Sequence, residues 1–89
     1  MKLRFNLIPL DALRAVLKVL GAGADKYGDH SWETRNPSEN IDPMFRHYEA
    51  AIRGELDEET GLPAAAHLAA RALFMTAYQL RGRWLGKQE

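Results

Sequence analysis

Four carboxylates crowd into five consecutive positions, Glu55, Asp57, Glu58 and Glu59, with His47 upstream of them and His67 and Arg71 downstream. Carboxylates converging from neighbouring helices build oxygen-rich sites for Mg²⁺ or Mn²⁺, and such ions serve substrates that carry phosphates. If the chain folds back on itself between the two histidines, these acids come close to His67 and Arg71. Each residue also has a structural reading: the acids as a solvated face, the histidines as satisfied helical side chains. Near the N-terminal third, Lys26 and Trp32 offer a cation beside an aromatic. That pair suits a phosphate contact with a platform for a base, or equally a lysine favouring a helix C-terminus and a ring closing the core. Other chemistries are missing. The 89 residues hold no cysteine, no Gly-x-Ser-x-Gly elbow, no phosphate-binding glycine loop, no His-Glu-x-x-His and no EF-hand loop.

Three helices are needed to position these groups. Pro9 opens a stretch in which Leu10, Leu13, Val16, Leu17, Leu20, Ala24 and Tyr27 share one face, predicting a helix over 9–27 closed by Gly28. Gly21 and Gly23 weaken it by roughly 1 kcal/mol each and invite close approach of another backbone. Residues 29–41, with Asn36-Pro37-Ser38, read as a loop. Asp42-Pro43 reads as an N-cap followed by a first-turn proline, starting a helix over 42–56 with Phe45, Tyr48 and Ile52 as its core-facing stripe. Its end is open to two readings: continued past Gly54, the helix carries Glu55 and Glu59 onto that stripe; stopped there, it leaves the acids in a loop. Thr60-Gly61-Leu62-Pro63 starts a third helix over 63–82, apolar nearly all round and rich in alanine.

The expectation is an all-α fold in one domain, 1–89, with a three-helix protomer assembled into a homodimer or tetramer, because two flanking helices cannot cover every face of the third. Twelve basic and twelve acidic residues balance, against the basic excess of a binder of DNA or RNA polymers. The distribution is uneven, however: positions 29 to 59 hold nine of the acids and only Arg35, Arg46 and Arg53. This dipolar layout suits a cation-gathering site beside groups that meet phosphate. The first residues, MKLRFNLIPLD, lack a signal peptide's apolar segment, and no stretch is long enough to span a membrane. With the lack of cysteine, this gives an expectation of a soluble cytoplasmic protein.

The ordered set Arg4-Phe5-Asn6-Leu7-Ile8-Pro9, Gly21-Ala22 through Lys26-Tyr27-Gly28 with Trp32, Arg46-His47, Gly54-Glu55, Asp57, Glu59-Thr60-Gly61-Leu62-Pro63 and His67 resembles the dATP/dGTP diphosphohydrolase family, relatives of the all-α MazG-type nucleotide pyrophosphohydrolases. The resemblance implies an all-helical oligomer that hydrolyses a (deoxy)nucleoside triphosphate, a purine dNTP, to the monophosphate and pyrophosphate with Mg²⁺ or Mn²⁺. Glu55, Asp57 and Glu59 then become metal ligands, His47 and His67 orient ligands or phosphate, and Lys26 and Arg46 contact phosphate. Arg71 and Trp32 complete the substrate-binding set. The chain departs from the family pattern at Ser31, where the family has Asn, at Ala64, where it has a second His, and near Arg71, where it has Asn. The step from Gly54-Glu55 to Asp57 is also one residue tighter. The alternative from another class is a catalytically silent helical oligomer that binds a nucleotide or a protein.

Overall fold

The structure, a computed structural model, describes residues 1–84; positions 85–89 of the expected domain lie outside the described residues. It is all-helical, with three main helices, α1 (Leu10–Tyr27), α2 (Ile41–Ile52) and α3 (Ala64–Leu80), and short 3₁₀ turns at Phe5–Leu7, Ser31–Thr34 and Pro37–Asn40. Both α1 and α2 pack on α3, which is the central element. No helix among the described residues is long and apolar enough to cross a membrane.

The first helix follows its sequence signals at both ends. Pro9 precedes it, and Gly28 ends it with φ +95° while donating its N–H to the Ala24 carbonyl at 2.8 Å. Its buried face is narrower than the apolar stripe, however. Val16 and Val19 pack with Ala66 and Ala70 of α3, with Ala15, Leu20, Leu62 and Ala69 partly buried around them, while Leu10, Leu17 and Tyr27 stay exposed. The alanines of α3 offer a shallow surface that two valines fill. The expected close approach at Gly21 and Gly23 is absent, since a Cβ on either would meet nothing within 4 Å.

Both ends of α2 differ from the sequence reading. It begins at Ile41 because the Pro37–Asn40 turn runs directly into it, itself held by a capping box in which Asn36 accepts from Ser38 N–H and Glu39 accepts from Asn36 N–H. Asp42 is therefore not the N-cap but lies in the first turn, and Pro43 stands where a helix needs no N–H. The helix stops at Ile52 and not at 56. Gly54 takes φ +70°, with Gly54 N–H on the Ala51 carbonyl and Glu55 N–H on the Ala50 carbonyl, both at 3.0 Å. This paired closure satisfies the last carbonyls of the helix and sends the chain away from its axis. Of the two readings of the helix end, the one that places the acids in a loop holds.

The stripe of α2 also faces the other way. Pro43, Met44, His47, Ala50 and Ala51 are its partly buried residues. Ile41, Phe45, Tyr48 and Ile52 are 38%, 64%, 52% and 66% exposed. Packing of α2 on α3 therefore uses the face of His47, Ala50 and Ala51, and the large apolar side chains turn outward. The third helix starts at Ala64 and ends at Leu80, inside the expected 63–82, with Gly82 at φ +73° beyond it.

Candidate functional site

Between α2 and α3 the chain makes a tight excursion in which Leu56 and Pro63 form an isolated antiparallel bridge. Asp57 organises it. Its Oδ2 accepts hydrogen bonds from Glu59 N–H at 3.1 Å, Thr60 N–H at 2.9 Å and the Thr60 hydroxyl at 3.1 Å. Gly61, at φ +72°, donates to the Asp57 carbonyl and closes the turn. Donation from Thr60 N–H is the main reason the Asp57 carboxyl lies below its ordinary range; burial opposes it, and the charge of His67, the Thr60 hydroxyl and Glu59 N–H assist.

The turn delivers Asp57 to two imidazoles. His67, from the second turn of α3, has Nε2 2.8 Å from the Thr60 hydroxyl and 3.6 Å from Asp57 Oδ2. His47, from α2, lies with its ring centroid 5.0 Å from that of His67. Burial lowers the His47 pKa from 6.5, and the charges of His67 and Arg71 lower it further. One ligand atom from each of His47, Asp57 and His67 falls within 4.8 Å of the others.

These groups line an open cleft of about 570 Å³ between α1, α3 and the loop after α1. Lys26, Trp32 and Arg71 line it as well, and so does Glu59. Lys26 Nζ and Glu59 Oε1 pair at 3.0 Å across the mouth, which raises the lysine pKa. Glu55 and Arg46 are outside the cleft wall. Glu55 faces Arg53 at 3.7 Å, and Arg46 is exposed on α2. The structure thus brings Asp57 and Glu59 to the cleft with both histidines, Lys26, Trp32 and Arg71, and leaves Glu55 and Arg46 aside. Ser31 lines the cleft, whereas Ala64 is buried outside it.

Two contributors escape a reading by residue type. Thr60 links Asp57 to His67, and its only signal is an Asp-x-x-Thr spacing of the kind that makes side-chain caps. Asn40, the buried polar residue at the start of α2, accepts from the Arg71 guanidinium at 3.1 Å and fixes its direction. Nothing in the sequence marks it. Burial leads the causes that lower the Arg71 pKa, with the Arg35 charge next, but the group stays cationic at any working pH. Replacing Asn40 by Ala frees a half-buried arginine, so an expected rise of about tenfold in KM for a phosphate-bearing substrate, with kcat changed less, is the kinetic signature of lost positioning. Steady-state kinetics of the variant checks it.

Trp32 is committed to packing. Its ring stacks on Phe74 at 4.8 Å, the Arg81 guanidinium lies 5.1 Å from its centroid, and its carbonyl accepts from the Tyr78 hydroxyl at 2.6 Å. The exposed aromatic at the cleft is Tyr27, flanked by Lys26 and Arg35 at 5.3 Å each.

The family model described as dATP/dGTP diphosphohydrolase, N-terminal, matches residues 1–88. The chain belongs to this dATP/dGTP diphosphohydrolase family. No curated protein and no solved structure matches it. Within the family's N-terminal domain, the residues that carried the resemblance, from Lys26-Tyr27-Gly28 to His67, are largely those that meet around the cleft.

Proposed function

We propose that this member of the family hydrolyses a deoxynucleoside triphosphate, a purine dNTP, to the monophosphate and pyrophosphate. The observation that carries the reading is the make-up of the cleft, which Lys26, Arg35 and Arg71 share with Asp57, Glu59 and the two imidazoles. Arg71, half-buried and aimed by Asn40, receives phosphate oxygens with the planar fork that such groups require. Lys26 adds a mobile charge once a phosphate competes with Glu59 for it. A divalent ion, Mg²⁺ or Mn²⁺ in the family expectation, neutralises phosphate charge and acidifies water when bound. Asp57 and Glu59 are the carboxylates at the cleft that suit it, and Glu55 is set apart by its pairing with Arg53.

Attack of water on the α-phosphorus forms the new P–O bond as the bond to the bridging oxygen breaks and pyrophosphate leaves. His47 and His67 orient the phosphate beside Asp57, and the proton of the attacking water leaves to solvent. No covalent nucleophile is required. The partner is a free nucleotide and not a nucleic-acid polymer or a membrane, and the cytoplasm suits such a substrate. Self-association into a dimer or tetramer is supported by the exposed stripe of Ile41, Phe45, Tyr48 and Ile52, whose alternating steps of four and three residues match a helix–helix seam.

Incubation with each dNTP and Mg²⁺ or Mn²⁺, followed by separation of dNMP and pyrophosphate, tests the reading. Glu59→Gln removes a charge from the cleft and releases Lys26; turnover is expected to disappear, with the far-UV spectrum unchanged because an exposed ion pair contributes little to the fold. The ion pairs Lys26–Glu59 and Arg53–Glu55 favour one competing reading, a silent binding module whose acids only pair at the surface. No product from any nucleotide selects that alternative.

A further inference from the structure

We propose that His47, His67 and Asp57 form a site for an imidazole-preferring divalent ion of the Zn²⁺, Co²⁺ and Fe²⁺ class, in preference to Mg²⁺. The inference rests on the proposed reading for the ion's purpose, and replaces the all-oxygen ligand set with a mixed one. Three separate elements supply the donors, α2, the 57–61 turn and α3, and each residue is half-buried. Their ligand atoms are at most 4.8 Å apart, so small side-chain rotations bring all three to the roughly 2.0–2.2 Å that such ions require. Mg²⁺ demands a near-ideal shell of oxygens and gives up its waters reluctantly, which a set of two nitrogens and one oxygen does not suit.

The surroundings fit a ligand role better than a purely structural pair. A histidine and an aspartate serving only each other close to about 2.7–2.9 Å. Here His67 and Asp57 stay 3.6 Å apart, and the hydrogen bond of His67 goes to Thr60. The Thr60 hydroxyl donates to Asp57 Oδ2 and meets His67 Nε2 at 2.8 Å, so it ties the imidazole to the turn that carries the carboxylate. All the hydrogen bonds from the turn fall on Asp57 Oδ2 and orient the carboxylate, leaving Oδ1 as a donor. Oriented ligands of this kind are the usual support of metal sites. Two imidazoles and one carboxylate leave further positions open toward the cleft, as in hydrolytic centres.

Cobalt titration of the 89-residue chain, freed of metal by a chelator, reads the donor set without any nucleotide. Visible d–d absorption is expected, reversed by Zn²⁺ and resistant to a large excess of Mg²⁺. His47→Gln and His67→Gln are each expected to weaken Co²⁺ at least about 100-fold, and Thr60→Val about tenfold, with far-UV spectra reporting the fold. Absent Co²⁺ absorption, displacement by Mg²⁺ at similar concentrations, or an unaltered spectrum in both folded histidine variants overturns the assignment. If neither histidine variant folds, competition between Co²⁺ and Mg²⁺ on the unmodified chain decides alone. Hydrolysis of dNTP is scored separately: metal bound through the histidines without turnover removes the activity and keeps the site, and turnover with Mg²⁺ in a chain that binds no Co²⁺ does the reverse.

Discussion

Asp57→Asn is expected to lower turnover by about 10³-fold, because the carboxylate would hold the divalent ion that neutralises phosphate charge, and a neutral amide of the same shape holds it far less well. The same substitution also probes the fold. The charged Oδ2 accepts three donors of the 57–60 turn, and losing that charge costs about 1–2 kcal/mol at neutral pH for a side chain that is only partly shielded from water. The sign of the pH dependence follows from the depressed folded pKa. Stability due to the ionised form is fully present above the unfolded carboxyl value near 3.8 and disappears as pH falls through the lower folded value. Urea denaturation at stepped pH should therefore find the unmodified chain more stable than Asp57→Asn at pH 7, with the two curves converging in acid. A constant gap down to the acid limit removes the carboxylate charge from the account of the turn. Retained activity removes Asp57 from the site.

That a carboxylate at 57 meets imidazoles at 47 and 67 was only partly legible in the sequence. The residue types were visible, and so was the fold-back between helices. What decided the meeting was the path of the chain between Ile52 and Ala64, where Gly54 and Gly61 take positive φ and Leu56 bridges to Pro63. Spacing along a helix does not describe such a path, so Glu55, Asp57 and Glu59 read alike although they point to different partners. For α2 the difficulty was of another kind. Periodicity correctly identified Phe45, Tyr48 and Ile52 as one stripe, but a stripe does not say which surface covers it. Packing of α2 on α3 leaves His47, Ala50 and Ala51 partly buried and the stripe outside. The limits of α1 were legible because Pro9 and Gly28 act locally, through the chemistry of their own backbone.

Tyr78→Ala is expected to be the most destabilising single substitution. Tyr78 is the most deeply buried large side chain among the described residues, and emptying such a site costs about 3–5 kcal/mol, enough to lower Tm by roughly 12–40 °C in a domain of this size. The ring also anchors the wall of the cleft. It meets Trp32 edge-on at 5.7 Å, its hydroxyl donates to the Trp32 carbonyl, and the Arg83 guanidinium covers it at 5.1 Å while donating to the Glu33 and Arg35 carbonyls. The end of α3 therefore clamps the segment that carries Ser31, Trp32 and Arg35 to the cleft. Tyr78→Phe keeps the packing and leaves the Trp32 carbonyl without its donor, at a cost of about 1–3 kcal/mol. Thermal melts should rank the unmodified chain above Tyr78→Phe and that above Tyr78→Ala. In the folded Phe variant a loosened clamp raises KM for nucleotide while Asp57 and His67, tied together through Thr60, keep their geometry, so that kcat is unchanged. Equal losses in KM and kcat in that variant would mean that the clamp and the 57–60 turn do not move independently.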